Sequence, residues 1–215
     1  MNNIRAVAFD YGGVLASFIS KEDVSKMATL ARVDYESFNT SMWKFRHQLD
    51  SDEYDNSLYW EAVLDYCNSP LEEEDIPTLV EMDLIGFSHM NQAMLNWAKE
   101  LKENGIMNLI ISNMATSTYL SLIAGQEWVS SFDEIIISGI LHINKPDIRI
   151  FTQAITHTQL HSKEILFIDD LPHNIKGAKE AGLHALLFSD TQHLAHALEK
   201  GFPTLPRKEL GVRCK

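Results

Sequence analysis

Short apolar runs and helical repeats alternate along most of the chain. An apolar run at Ile4–Phe9 ends at Asp10-Tyr11-Gly12-Gly13, which is typical of a buried strand that leads into a tight loop. A turn is predicted at Gly139, directly after a strand at Glu134–Ser138. The further strands alternate with amphipathic helices, and they are predicted at Met107–Ile111, Glu134–Ser138, Ile165–Ile168 and His184–Phe188. This alternation indicates a parallel sheet with helices on both faces.

The stretch between about Ser20 and Ser88 has helical spacing and contains no strand candidate. Its first helix is predicted to begin after Ser20, because Asp23 follows three residues later as in a capping box. Pro77 must lie in the first turn of the fourth helix or break it. The other predicted helices are Tyr35–Leu49, Asp55–Tyr66 and Glu72–Phe87. The predicted fold is therefore α/β, with a Rossmann-like parallel sheet core of residues 1–16 and 89–215 and an inserted helical-bundle cap of residues 17–88.

The composition restricts the partners and the compartment. The 215 residues carry a formal net charge of −12, which disfavours nucleic acid and anionic membranes as partners. Cys67 and Cys214 are far apart, so no disulfide framework or zinc site is indicated. The first residues lack the apolar stretch of a signal peptide, and no apolar run approaches the length of a membrane span. We expect a cytoplasmic protein.

Polar side chains are concentrated where strands are predicted to end. In a parallel sheet, ligands bind at the carboxyl ends of the strands, here expected after Phe9, Ile111, Ile143 and Ile168. The side chains that would converge there are Asp10, Ser112, Asn113, Lys145, Asp169 and Asp170. Clustered carboxylates repel each other unless a cation lies between them, and hard oxygen ligands suit Mg²⁺. An ammonium and a bound cation can neutralise phosphate oxygens while the remaining carboxylate attacks phosphorus. We therefore expect Mg²⁺ as the cofactor and a small phosphorylated metabolite as the substrate.

Four short motifs carry a resemblance to the haloacid dehalogenase-like hydrolases. They are Phe9-Asp10-Tyr11-Gly12-Gly13-Val14-Leu15, Ile110-Ile111-Ser112-Asn113, Asn144-Lys145-Pro146-Asp147, and Phe167-Ile168-Asp169-Asp170 followed by Asn174-Ile175-Lys176-Gly177-Ala178. Each motif alone is a weak signal, but all four occur in order and together span most of the core. The helical insertion after the first motif resembles the cap of the branch that contains phosphoglycolate phosphatases and epoxide hydrolase N-terminal domains.

The resemblance implies a role for each residue of the motifs. Asp10 would be the nucleophile and a metal ligand, and Ser112 would bind the transferring phosphoryl group. Lys145 would pair with both the phosphate and the nucleophile. Asp170 would be the main further metal ligand, with Asp169 either touching the ion or supporting its ligands. The remaining roles are the backbone carbonyl of residue 12 as a ligand and the phosphate contacts of Asn113 and Gly13.

Gly12 departs from the family pattern. Most phosphatases that the chain resembles have an aspartate there, which protonates the leaving alkoxide and then activates water. Such a group supplies about 10²–10⁴-fold in rate. The substrate could have a good leaving group, or another residue such as His173 or His47 could supply the proton. The alternatives are a non-catalytic phosphate-binding protein and a haloacid dehalogenase. The dehalogenase is disfavoured because that branch has tyrosine at position 12, whereas Tyr11 stands one residue earlier.

Overall fold

A five-stranded parallel sheet forms the centre of the computed structural model, which describes residues 3–211. Cys214 lies outside the described residues. Val7 in the first strand pairs with Asn108 on one side and with Leu166 on the other, so this strand is central. In the order β3-β2-β1-β4-β5, the strands are β1 Ala6–Phe9, β2 Met107–Ser112, β3 Glu134–Ile137, β4 Ile165–Asp169 and β5 His184–Leu187. The predicted Rossmann-like α/β fold is confirmed.

Helices surround this sheet and fill the long connection after β1. Within residues 3–211, no helix is long and apolar enough to cross a membrane. The helices are α1 Lys21–Leu30, α2 Tyr35–Asp50, α3 Asn56–Tyr66, α4 Ile76–Gly86, α5 Gln92–Glu103, α6 Thr116–Leu122, α7 Ser138–Leu141, α8 Ile148–Thr158, α9 Pro172–Glu180 and α10 Thr191–Gly201.

Helices cover both faces of the sheet. Successive side chains of a strand point to opposite faces, so alternate residues of β1 pack against different helices. Val7 and Phe9 pack with residues of α5 and α10, and the Phe9 ring meets the edge of Trp97 at 5.5 Å. Ala6 and Ala8 pack with residues of α8 and α9 on the opposite face. Both faces of β1 are therefore apolar along its whole length, which fixes the strand in the middle of three layers.

Helices α1 to α4 form a separate bundle with its own apolar core. The fully buried side chains of that core include Phe38, Met42, Tyr59, Trp60 and Leu79. Ser20 caps α1 as expected, since its hydroxyl accepts a hydrogen bond from the Asp23 N–H at 3.1 Å. Pro77 lies in the first turn of α4, where its missing N–H costs little. All four helices fall within the segment predicted to be the cap.

Two sequence predictions about strand ends are wrong. Gly139 lies inside the short helix α7 rather than in a turn, and β3 ends at Ile137, so Ile143 is not a strand end. The apolar pattern fails here because a run as short as Ile140-Leu141, followed by Ile143, does not distinguish a strand from a single helical turn. Lys145 nevertheless reaches the same edge of the sheet through the loop between α7 and α8.

Candidate active site

Asp10 stands at the carboxyl end of the central strand. Its N–H donates to the Ile168 carbonyl at 2.9 Å, which continues the hydrogen-bonding ladder between β1 and β4 by one residue. The Tyr11 N–H donates to Asp10 Oδ1 at 2.7 Å and orients the carboxylate. The side chain is buried. A carboxylate in this place is held rigidly, with the next loop folded around it.

Lys145 joins the two central strands through their carboxylates. Its Nζ lies 2.8 Å from Asp10 Oδ1 and 2.7 Å from Asp169 Oδ2. The Lys145 side chain is only 1% exposed, so the ammonium has exchanged water for these two partners. Asn113 brackets the lysine backbone: its Oδ1 accepts from the Lys145 N–H at 2.7 Å, and its Nδ2 donates to the Lys145 carbonyl at 3.0 Å. The Asn113 side chain thus holds the Lys145 backbone in place, and its contact with phosphate stays a prediction.

The two adjacent aspartates after β4 have different surroundings. Asp169 accepts hydrogen bonds from the Leu171 N–H at 2.8 Å and from Asn174 Nδ2 at 3.0 and 3.1 Å, in addition to Lys145. Asp170 Oδ1 is buried and has no hydrogen-bond partner within residues 3–211. Asp169 is therefore supplied with donors, while Asp170 still lacks one.

The three carboxylates fit a hard divalent cation. Oxygens of Asp10, Asp169 and Asp170 lie within 4.8 Å of one another. A buried carboxylate oxygen without a donor is costly, and a cation is the partner that would satisfy Asp170. Gly13 leaves room for the Asp170 carboxylate, because a Cβ added at this position would lie 2.5 Å from Asp170 Oδ2. Its φ of +77° also favours glycine. The donor set and the glycine beside it thus agree with the Mg²⁺ site predicted from the sequence.

The pKa values of the three carboxyl groups also favour a bound cation. Burial raises the pKa of Asp10 to about 8, although the Lys145 ammonium opposes this shift. Burial also acts on Asp169, but Lys145 and the donated hydrogen bonds outweigh it and hold the pKa of Asp169 below its ordinary value. Burial, with Asp169 next to it, raises the pKa of Asp170. One ammonium does not compensate three carboxylates, so additional positive charge is needed before Asp10 is fully ionised at neutral pH.

A cavity of about 420 Å³ opens above these residues, between the sheet edge and the helical bundle. The Ser112 hydroxyl faces it without a hydrogen bond inside the described part of the chain. The predicted candidates His47 and His173 both line it as well. Three aromatic rings form one wall, because Phe18 lies 5.7 Å from both Trp43 and Phe87. Every residue that the sequence singled out for catalysis therefore borders the cavity or the carboxylate cluster.

Gly12 and Gly13 are glycines for different reasons. Gly13 has the left-handed φ described above, which few other residues adopt without strain. Gly12 does not, and an added Cβ would meet Phe18 at 3.6 Å and Phe87 at 4.0 Å, which are ordinary contacts. The backbone thus requires glycine at position 13 but permits a side chain at position 12. The backbone therefore does not explain why position 12 lacks the acidic side chain that the resemblance leads one to expect.

The end of α2 docks on the core next to Lys145. Asn144 Nδ2 donates to the His47 carbonyl at 2.8 Å, and the Ser138 hydroxyl donates to the Asp50 carbonyl. The Thr116 N–H donates to Asp52 Oδ1 at 3.0 Å. Asn144 lies in the loop that carries Lys145, whereas Thr116 and Ser138 are the first residues of α6 and α7. The bundle is therefore closed over the cavity.

A buried charge cluster in the bundle was missed by the sequence analysis. Arg46 Nη1 donates to both carboxylate oxygens of Asp83 at 2.9 and 3.0 Å, and Arg46 Nε donates to Asp50 Oδ1 at 3.2 Å. Arg46 and Asp50 line the cavity, whereas Asp83 does not. One signal could have identified the cluster: Arg46 follows Met42 by four residues, which puts a charge on the apolar stripe of α2.

Comparison with known proteins places these features in a family. The family model for "Haloacid dehalogenase-like hydrolase" matches residues 36–188. The bifunctional epoxide hydrolase 2 of Rattus norvegicus is 27% identical over 153 residues, which is 69% of this chain and 28% of that protein. The chain thus spans less than a third of the length of this relative.

Solved structures share the fold at low sequence identity. A HAD family enzyme of Bacteroides thetaiotaomicron, in complex with magnesium and inorganic phosphate, has a TM-score of 0.65 and 18% identity, with 89% of this chain and 98% of that chain covered. An L-2-haloacid dehalogenase of Xanthobacter autotrophicus, with chloropropionic acid covalently bound, has a TM-score of 0.64 and 17% identity, with 96% and 86% covered. At these identities the likeness is one of fold, which a phosphate-bound enzyme and a dehalogenase have in common.

Proposed function

The chain belongs to the haloacid dehalogenase-like hydrolases, and we propose that within this family it is a magnesium-dependent phosphatase of small phosphomonoesters. One observation carries the proposal: Lys145 Nζ bridges Asp10 and Asp169, beside a buried Asp170 oxygen that has no partner in residues 3–211. This arrangement combines a nucleophilic carboxylate, the fixed Lys145 ammonium and a carboxylate oxygen that is free to bind a metal ion. It suits the transfer of a dianionic group, which needs positive charge around the reacting phosphorus.

In the proposed reaction, an oxygen of Asp10 attacks phosphorus. A new bond forms between this oxygen and phosphorus, the ester bond breaks, and its electron pair leaves with the alcohol oxygen. Lys145 and the unbonded hydroxyl of Ser112 hold the non-bridging oxygens of the phosphoryl group. Water then attacks the aspartyl-phosphate, which releases phosphate and restores the Asp10 carboxylate.

Asp10 and Asp170 would hold Mg²⁺, with the carbonyl of Gly12, and Asp169 would support them from its hydrogen-bonded position. The bound ion would supply positive charge to the carboxylates and to the phosphate oxygens. Asn113 has a further part in this proposal, because it fixes the backbone from which Lys145 reaches the nucleophile.

The size of the cavity favours a small substrate. A volume of about 420 Å³ lies at the lower end of the range for small-molecule sites. The aromatic wall of Phe18, Trp43 and Phe87 can cover the apolar face of a ring, and Arg46 and Asp50 offer polar partners for its hydroxyls. A sugar phosphate is the substrate class that we expect.

Two other functions are weaker. A phosphate-binding protein without catalysis would gain nothing from Asp10, because a buried carboxylate repels the phosphate it would hold. A dehalogenase releases a halide anion, and the unpartnered Asp170 carboxylate would repel that anion too. Both alternatives leave the third carboxylate without a purpose, whereas a magnesium-dependent phosphatase needs it.

The proposal is tested by measuring phosphate release from a panel of sugar phosphates, acyl phosphates and simple phosphomonoesters, with Mg²⁺ and with a chelator. Asp10→Asn is the matched control, since it keeps the shape of the side chain and removes the nucleophilic charge. We expect turnover that requires Mg²⁺ and vanishes in the variant. Mg²⁺ binding without phosphate release from any compound would favour the binding protein, and halide release from 2-haloacids would favour the dehalogenase.

A further inference from the structure

The cavity contains a carboxyl group that the proposed reaction has not yet used. Asp50 is the last residue of α2 and is buried, yet it lines the same cavity as Asp10, Ser112 and Lys145. We propose that Asp50 is the catalytic acid and base of this enzyme, which protonates the leaving oxygen and then activates the attacking water. This inference rests on the proposed phosphatase activity and supplies the function that Gly12 lacks.

The core fixes the position of Asp50. The Ser138 hydroxyl donates to the Asp50 carbonyl, and the same hydroxyl accepts from the Met114 N–H at 2.8 Å. Met114 is two residues beyond Ser112, so a single hydroxyl ties Asp50 to the loop that begins at the phosphoryl-binding serine. Asp50 is thus held at a fixed position relative to the site of phosphoryl transfer, as a proton donor must be.

The two oxygens of the Asp50 carboxyl have different environments. Oδ1 accepts from Arg46 Nε at 3.2 Å, while Oδ2 has no hydrogen-bond partner in residues 3–211. Oδ2 is not fully buried, so it is open to the cavity that the residue lines. One oxygen is therefore anchored and the other is available to exchange a proton with a substrate oxygen or a water.

The charges of the cluster favour a protonated Asp50. One guanidinium serves two buried carboxylates, and Asp83 receives the two shorter bonds from Arg46. Burial raises the pKa of Asp50 to about 6, Arg46 opposes this, and Asp83 adds to it. An entering phosphate dianion raises it further by repulsion, which favours the acid form when the substrate is bound. The titratable and charged groups around Asp50 are Arg46 and His47 on α2, Tyr59 on α3, Asp83 on α4, and His142 and Lys145 from the core.

The two histidines of the cavity are poorer candidates. His47 and His173 are both exposed, and neither ring makes a hydrogen bond within the described residues. An acid contributes to catalysis only when it is positioned against the reacting oxygen. Asp50 has an arginine that orients its carboxylate. The His47 backbone is also anchored to the core, through its carbonyl and Asn144, but the ring of neither histidine is held by a hydrogen bond within the described residues.

Asp50 gives up one proton in the first step of the cycle and regains one in the second. When Asp10 displaces the ester oxygen, the Asp50 carboxyl gives its proton to that oxygen and becomes a carboxylate, so a neutral alcohol leaves. In the second step, the Asp50 carboxylate takes a proton from water as the water oxygen bonds to phosphorus and the bond to Asp10 breaks. Hydrogen phosphate departs, and both aspartates return to their starting forms.

The test compares kcat/KM for a series of phosphomonoesters from 4-nitrophenyl phosphate to ethyl phosphate, in wild type, Asp50→Asn and Asp83→Asn. Asparagine at position 50 still accepts from Arg46 but has no proton to give to the leaving oxygen. We expect Asp50→Asn to lose about 100-fold with ethyl phosphate and less than about threefold with 4-nitrophenyl phosphate, whose leaving group needs no proton. Asp83→Asn disturbs the same arginine but keeps the Asp50 carboxyl. At a pH low enough to protonate Asp50 in both proteins, its dependence on the leaving group should therefore match that of wild type.

Other outcomes are equally decisive. An equal loss across the whole series, in an otherwise active enzyme, would show that Asp50 is only structural and would leave the phosphatase intact. Wild type without activity on this series and on the sugar phosphates of the first panel would overturn both proposals. A double variant, His47→Gln with His173→Gln, covers the case in which Asp50→Asn does not fold. Wild-type dependence on the leaving group in that variant supports Asp50 by elimination, and a steep dependence assigns the proton to a histidine.

Discussion

The side chain of Asn113 makes two hydrogen bonds with the backbone of Lys145: its Oδ1 accepts from the Lys145 N–H at 2.7 Å, and its Nδ2 donates to the Lys145 carbonyl at 3.0 Å. The loop that carries the lysine is thereby attached to the end of β2. The lysine ammonium in turn lies between carboxylates at the ends of β1 and β4. Three neighbouring strand ends are thus held in one arrangement by a single amide and a single ammonium.

Asn113→Ala should therefore lower kcat/KM by about 10–100-fold, because displacing a catalytic group by about 1 Å costs this much. Steady-state kinetics on the best substrate of the panel provide the measurement. Asn56→Ala is the control, since Asn56 makes only an exposed 3.4 Å contact with Ser117. Unchanged kinetics in Asn113→Ala would mean that Lys145 is fixed by its carboxylates alone.

Gly13→Ala should weaken Mg²⁺ binding by about 10–100-fold, a size typical of lost support for a metal ligand. The added methyl would lie 2.5 Å from Asp170 Oδ2, on a backbone with φ of +77°. Titration calorimetry with Mg²⁺ measures the affinity. Gly12→Ala is the matched neighbour, and its methyl meets no atom closer than 3.6 Å. Equal affinities in the two variants would exclude Asp170 as a ligand.

Arg46→Met should reduce the free energy of unfolding by about 3–5 kcal/mol, because it leaves buried carboxylates without their partner. Adding Asp83→Asn to it should recover part of the loss. Urea denaturation gives both values. Lys26→Met, which removes exposed ion pairs with Glu22 and Asp23, should produce no measurable change. A loss no larger than that of Lys26→Met would show that the cluster is solvated.

Asp50→Asn should stabilise the protein at pH 8 by on the order of 1–3 kcal/mol, with a smaller effect at pH 5. The pKa of Asp50 is raised from its ordinary value to about 6 by burial, so the folded state binds its proton more tightly than the unfolded chain. Such a group stabilises the fold at low pH and loses that contribution as the pH rises through about 6. Asparagine imitates the protonated form at every pH. Urea denaturation across this range measures the difference, and a destabilised variant at pH 8 would contradict it.

Gly139→Ala should lower kcat/KM by about tenfold or more, since overpacking costs about 1–3 kcal/mol. A methyl at this position would lie 2.6 Å from the Thr116 nitrogen and 2.8 Å from Asp52 Oδ1, and so would separate α2 from the core. Limited proteolysis should cleave the variant faster between the bundle and the sheet. Gly201→Ala, where an added methyl meets nothing within 4 Å, is the control. Equal rates of cleavage would show that the docking tolerates the added volume.

The sequence predicted the parts of the site that depend on strand ends. Asp10 and Asp169 follow short apolar runs, and a parallel sheet brings the ends of such runs together. Of the residues that the helical bundle contributes to the cavity, His47 was named as a candidate, whereas Arg46 and Asp50 were not. Helical periodicity shows which side of α2 is apolar, but a single sequence does not show which end of that side meets the cavity, so Arg46 and Asp50 went unnoticed. Ile143 was misplaced because a second apolar group, Ile140, Leu141 and Ile143, follows β3 after only Ser138 and Gly139, and its first part belongs to α7.

Chain order has a consequence for how this molecule is made. β1 is central in the sheet, but its partner strands lie about a hundred and about a hundred and sixty residues later, with Val7 beside Asn108 and Leu166. During synthesis the first strand therefore leaves the ribosome long before either partner exists, whereas the bundle of α1 to α4 has its core within one continuous stretch. Local contacts form faster than distant ones. We expect the bundle to fold first and Asp10, at the end of β1, to meet Lys145 and Asp169 only when β4 has been made.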